Sequence, residues 1–163
     1  MVAAADIIDS MRISARAEYA VLAATALARA WGRGLISADE IAASQRIPAG
    51  FLEGILTTLR KAGLMTSRRG QAGGFALSRP PEEISVGDVI RAVEGPLVYV
   101  RDARPSALVY PEGPQVLVGL WVALRASVRG VLDGTTLQDL ADGVLPEDVR
   151  RLAENPESWT ESS

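Results

Sequence analysis

The apolar positions of residues 49–62 recur with a single period. Leu52, Ile55, Leu56 and Leu59 fall at i, i+3, i+4 and i+7, which predicts a helix with one buried stripe. Gly50, Glu53, Gly54, Thr57 and Arg60 then face away from that stripe. Gly63 is placed to stop the helix in a left-handed cap. Upstream, Tyr19, Leu22 and Ala26 mark an apolar face of a first helix over residues 14–30, with Ser14 as its cap and Gly32 and Gly34 ending it. Ser37-Ala38-Asp39-Glu40 reads as a capping box: the serine accepts a free backbone N–H and the glutamate reaches back. It opens a short second helix through about residue 44, and residues 45–48 turn into the third, with Pro48 near its start.

Past Gly63 the period changes. Leu64-Met65-Thr66 and Phe75-Ala76-Leu77 are two strand-like runs around a tip in which Gly70, Gly73 and Gly74 are expected to supply positive φ. Pro80-Pro81 forbid further pairing, and Ser85 caps another short helix through about residue 93. A connector with Pro96, Pro105 and Pro111 follows, and Pro114 opens a long helix to about residue 132. Its apolar residues cover more than one face, so it needs two layers to bury them. In a chain of 163 residues the second layer is a second copy. A short capped helix closes the pattern by Asp142, and the end from Pro156 onward should fray.

These elements predict a mainly α fold with a small β-hairpin wing, a winged helix-turn-helix plus a long dimerisation helix. The expected divisions are an N-terminal extension at 1–10, a winged helix-turn-helix at 11–94 and a connector or sensor loop at 95–113. The dimerisation helix with its short follower occupies 114–142, and a tail 143–163. The dimer interface is expected at Leu117, Leu120, Trp121, Leu124, Val128 and Val131.

Charge turns this architecture into a chemical expectation. The chain carries a net charge of −3, but residues 11–80 hold +6 and residues 81–163 hold −7. A basic half on an acidic chain suits a nucleic-acid face. There is no histidine and no cysteine, which removes thiol chemistry, disulfides, the commonest general base and the commonest metal ligand. No enzyme and no metal site is expected. The chain also lacks a membrane-length apolar run and a signal-peptide pattern, which predicts a cytoplasmic protein with no membrane partner.

A winged helix-turn-helix lays one helix in the DNA major groove. Glu53 on the outward face of the third helix suits a cytosine N4 amino group. Ala49 and Gly50 are small enough for close approach to base edges, Thr57 can meet a phosphate or a thymine methyl, and Arg60 and Lys61 can hold phosphates. On the wing, Arg69 is suited to a narrow minor groove, while Arg68 and Arg79 suit phosphates. Arg12, Ser14 and Arg16 could touch phosphates from the start of the first helix. The rival reading is a winged helix used for protein–protein contact, or a regulator controlled by a partner protein; the basic wing counts against the first.

With these residues in view, the chain resembles the Rrf2 family of bacterial transcription regulators. The resemblance runs from MRIS at Met11 and EYAV at Glu18 through SADEIA at Ser37, FLE at Phe51 and LRKAGL at Leu59. It continues through RGQAGGFALSRPP at Arg69, ISVGDVIRAVEGPL at Ile84 and VLDGTTLQDL at Val131. It implies a homodimeric repressor on a pseudo-palindromic operator, with Glu53 and Arg69 as DNA-reading residues and Met11 at the family's usual start. Many relatives hold an iron–sulfur cluster by cysteines in the connector, and one branch adds a carboxylate at the position of Glu18. This chain lacks the cysteines, so no cofactor is expected. Tyr99, Arg101, Arg104, Tyr110 and Trp121 form the candidate loop for a small-molecule effector or a partner protein instead.

Overall fold

Alanine, not a large side chain, sits at the centre of this protein. In the computed structural model, which describes residues 12–111 and 113–160, helix α1 (Ala15–Arg29) buries Ala17, Ala20, Ala23 and Ala24 completely. Small side chains let neighbouring helices approach closely, and α1 is accordingly packed by α2 (Ala38–Gln45), α3 (Ala49–Lys61), α4 (Val86–Glu94) and α6 (Leu137–Asp142). The expected face of α1 is therefore rotated: Tyr19 and Leu22 are only half-buried at the margin of the core, and Ala26 is buried. The large core side chains, among them Ile41, Leu52, Ile55, Leu56, Leu59, Ile84, Val89 and Leu137, close around α1.

The local signals set the ends of these helices. Ser14 accepts from the Ala17 N–H, and Ser37 with Glu40 and Ser85 with Asp88 each form a reciprocal capping box. The Ser37 N–H and hydroxyl hold the Glu40 carboxyl below its ordinary range. Gly63, at φ +77°, reverses the chain after α3, where its N–H bonds the Arg60 carbonyl and the Leu64 N–H the Leu59 carbonyl.

The wing pairs β1 (Met65–Arg68) with β2 (Gly74–Leu77) in antiparallel register, Met65 opposite Leu77 and Arg68 opposite Gly74. On the other edge of β2, Ile36 adds an isolated rung that the sequence pattern does not predict, exchanging hydrogen bonds of 3.0 and 2.8 Å with Phe75. It anchors the wing to the entry of α2. Gly70 and Gly74 have positive φ as expected, but Gly73 does not. Gly73 is required for space, since a Cβ there would collide with the Arg68 carbonyl and sit 2.8 Å from that of Gly70.

After a 3-10 turn at Pro105–Ala107, the long helix α5 (Val116–Gly134) runs into α6. The chain end departs from expectation. Within the expected tail Glu147–Glu154 form helix α7, and Pro156–Trp159, expected to fray, form a 3-10 turn. Glu147 and Asp148 complement the helix N-terminus, and Arg150 pairs with Glu147 at 2.7 Å and with Glu154 at 3.6 Å. Such i, i+3 and i, i+4 pairs support a helix locally, and Val149, Leu152 and Ala153 recur at i, i+3 and i+4 along it. The proposed extension 1–10 lies outside the described residues.

Candidate nucleic-acid interface

The buried stripe of α3 fixes which of its residues reach solvent. With Leu52, Ile55, Leu56 and Leu59 each at 1% exposure or less, Ala49, Gly50, Glu53, Gly54 and Arg60 stand exposed on the other side, and Thr57 is half-buried. A Cβ added to Gly50 or Gly54 would meet no atom within 4 Å. Glycine in a helix costs roughly 0.5–1 kcal/mol relative to alanine, and nothing among the described residues requires it at these two positions. The sequence pattern had placed Gly54 on this face without marking it as a contact residue; its lack of any internal neighbour is the signal that does.

The start of α1 joins the same surface. Arg16 Nη2 donates to Thr58 Oγ1 at 3.0 Å, which sets its guanidinium beside α3. Thr58 was not singled out from the sequence, and its neighbour Thr57 carries no such partner among the described residues. Arg12 is exposed. Ser14 is engaged internally: it caps α1 and donates its hydroxyl to Glu94 Oε1.

The wing divides its arginines. Arg69 at the tip is exposed and makes no hydrogen bond or ion pair among the described residues, as is true of Glu53, Arg60 and Lys61. Arg68 donates to the Ala72 carbonyl at 3.4 Å and braces the tip. Arg79 is half-buried at the wing base, where it donates to the Glu83 carbonyl and stands 3.9 Å from Asp88. Thus Arg69 projects outward while Arg79 is held to α4.

The connector brings only part of its expected set together. Trp121 Nε1 donates to the Tyr110 hydroxyl at 3.0 Å, and the Arg101 guanidinium lies 5.6 Å from the centre of the Tyr110 ring. Tyr99 and Arg104 are exposed in the same segment. Arg101 and Asp102 both have positive φ at the tip of a two-residue turn closed by Val100 and Ala103. The groove of about 580 Å³ beside this segment is lined by Pro105 and one side of α5, including Val122, Ala126 and Gly130, and not by the tyrosines.

The long helix α5 buries none of its residues. Of the expected interface positions, Leu117, Trp121, Leu124, Val128 and Val131 are half-buried, and Leu120 is 55% exposed. The outward side consists of Val116, Gly119, Leu120, Val122, Ala123, Ala126, Ser127, Gly130 and Gly134, with Arg129 at its edge. Gly119 and Gly130 again have open space where a Cβ would stand.

Comparison with known proteins gives a consistent result. The family Rrf2, described as "Iron-dependent Transcriptional regulator", matches residues 13–143. A protein of Mycobacterium tuberculosis strain H37Rv, named for the HTH-type transcriptional regulators, is 49% identical over 145 residues, covering 89% of this chain and 90% of that one. The regulator CymR of Bacillus subtilis is 37% identical over 131 residues, covering 80% and 90%. A solved CymR structure, titled as the global cysteine regulator of B. subtilis, superposes with a TM-score of 0.71 over 82% of this chain and 98% of that one, at 35% identity. The IscR of T. potens superposes with a TM-score of 0.64 over 93% of each chain, at 32% identity.

The matched family consists of transcription regulators, not enzymes. Its description names iron, and the donors of this chain do not fit an iron–sulfur cluster. Clusters are held by thiolates, and the chain has no cysteine and no histidine. Among the described residues no group of three or more acidic side chains gathers to hold an ion, and Glu18 is exposed on α1.

Proposed function

We propose, from the premise that this chain belongs to the Rrf2 family of transcriptional regulators, that it is a sequence-specific DNA-binding repressor. It acts as a homodimer on a pseudo-palindromic operator in the cytoplasm, without an iron–sulfur cluster. One observation carries the reading furthest. The outward face of α3 offers Gly50, Glu53 and Gly54 to a close-approaching partner, with Arg16 on one side and the basic wing nearby.

In this reading α3 enters the major groove, where Glu53 accepts a hydrogen bond from a cytosine amino group. Arg69 enters the adjacent minor groove, while Arg12, Arg16, Arg60, Lys61 and Arg68 neutralise phosphates and fix register. The outward side of α5, almost without charge, is the dimer contact. Its glycines let a second helix approach, and two-fold symmetry then reads two half-sites. Occupying the promoter excludes polymerase.

A fluorescence-anisotropy titration of metal-free protein against the DNA upstream of its own gene tests this. It uses moderate salt and excess nonspecific competitor. Saturable binding that survives competitor and weakens steeply as salt rises is the expected result. Failure to prefer that DNA over the competitor, with the protein folded and dimeric, would count against a cluster-independent repressor of its own promoter.

A further inference from the structure

A dimer that reads two half-sites needs more than two reading heads; it needs a fixed angle between each head and the dimer axis. In this chain the joint is between α4, part of the reading head, and the C-terminal end of α5. Beside the packing of Leu132 against Val86 and Ile90 it has two polar anchor points. The first is backbone: the Val86 N–H bonds the Thr135 carbonyl and the Leu137 N–H bonds the Ile84 carbonyl, both at 2.9 Å. The second anchor is the Asp133 carboxylate, on the penultimate residue of α5. It occupies the space a Cβ on Gly87 would fill, 3.2 Å from Asp133 Cγ, and takes a hydrogen bond of 2.6 Å from Arg91 Nη1. Arg129 Nε holds its other oxygen at 2.9 Å.

The same Arg91 guanidinium turns its second nitrogen to Asp88, at 2.9 Å, and Asp88 faces Arg79 at the wing base. Alternating charges thus run from the wing through α4 to α5. Gly87 is buried in a helix, has ordinary φ, and is glycine because Asp133 is seated against it. That steric fit marks the contact as a built joint and not as a chance surface pair.

We propose that Asp133, seated on Gly87 and held by Arg91, is the positioning residue that fixes the angle between long helix and reading head, and thereby the half-site spacing the operator must have. The proposal rests on the dimeric DNA-binding reading above. Two variants dislodge the same carboxylate by different means. Asp133→Ala removes it; Gly87→Ala fills its seat and leaves every charge in place.

Two readouts decide the matter. The chain has no cysteine, so Ala43→Cys on exposed α2 gives one spin label per protomer, and double electron–electron resonance reports the head-to-head distance in the dimer. In parallel, anisotropy is measured on duplexes carrying the selected half-sites with spacers varied by one or two base pairs, each pair turning one half-site by about a tenth of a helical turn.

The labelled parent should give a narrow distance distribution and favour one spacer. Both variants should broaden the distribution and flatten the spacer preference, while affinity for a single half-site stays within about twofold, as expected when base and phosphate contacts are untouched. Retention of the narrow distribution and the parent's spacer preference in both variants overturns the proposal and leaves the DNA-binding reading standing. Loss of single half-site affinity in both also overturns it, since the contact would then merely hold the head together. A parent that dimerises with a narrow distance but binds no duplex refutes the DNA reading instead, and the distances alone then decide whether Asp133 sets the angle.

Discussion

Helices α3 and α5 are built on opposite plans. The thirteen residues of α3 bury four large side chains almost completely, whereas the nineteen residues of α5 bury none. Yet both carry interior glycines around which the chain leaves open space: Gly50 and Gly54 in α3, Gly119 and Gly130 in α5. A helical glycine with nothing against it is a local cost that the chain's own packing does not return. The surroundings differ and say what each face is for. Around the α3 glycines stand Glu53, Arg60 and the wing arginines, polar groups suited to a charged polymer. Around the α5 glycines stand Val116, at 76% exposure, Leu120 and Val122, suited to a second apolar helix.

The largest effect should come from spoiling the uncharged face. Leu120→Glu places two like charges near a two-fold axis, where burial would leave them unpaired. Light scattering should report a monomer, and operator affinity should fall by at least about 10²-fold, because linkage of two half-site contacts is lost. Circular dichroism should be unchanged, since Leu120 is exposed in the single chain. A stable dimer with full affinity would show that α5 meets its partner through another face.

On the charged face, Arg69→Ala should weaken operator binding by roughly tenfold for each removed pair of contacts, within the 1–3 kcal/mol common for such arginines. The melting temperature should not move, because Arg69 makes no hydrogen bond or ion pair among the described residues. Equal affinity for parent and variant would remove Arg69 from the reading head.

Gly54→Ala separates the two costs in one molecule. Alanine should stabilise the isolated protein by roughly 0.5–1 kcal/mol, as no atom obstructs its Cβ. If DNA approaches that surface closely, operator affinity should fall several-fold at the same time. Urea denaturation and anisotropy on the same preparation check both signs; greater stability with unchanged affinity would mean that the glycine face is not the one that meets DNA.

Much of this was legible in the sequence, and the reasons are local. The 3.6-residue period of Leu52 to Leu59, the boxes at Ser37 and Ser85 and the glycine at Gly63 act within a few residues, so α3, its neighbours and the wing could be placed from pattern alone. What escaped depends on contacts between distant segments. The alanine face of α1 is buried because four helices converge on it, and alanine carries no strong periodic signal. The Ile36 rung joins residues far apart in the chain, and the space needed at Gly73 arises only once the wing has closed. In the site, Glu53 and Arg69 could be picked by position. The internal engagement of Ser14 and Arg79 could not.

The smallest effect concerns the joint between the two regions. Burial tends to raise the Asp133 carboxyl, but hydrogen bonds from Arg129 and Arg91 outweigh it and hold the group below its ordinary value of 3.8. Burial likewise opposes the shift of Asp88, which the Ser85 N–H and Arg91 nevertheless hold low. A carboxylate with a lowered folded-state pKa contributes stability above its unfolded value, and that contribution is lost as pH falls through the folded one. Asp133→Asn should therefore be less stable than the parent at pH 7, and the gap should close below about pH 4 as the parent's carboxylate protonates. These side chains are roughly a quarter to a third exposed, so solvent screening keeps the gap to about 1 kcal/mol or less. Denaturation midpoints at pH 7 and pH 3 measure it. A gap of equal size at both would mean that the asparagine disturbs the seat on Gly87 by shape alone, and that charge contributes nothing to holding α5 against the reading head.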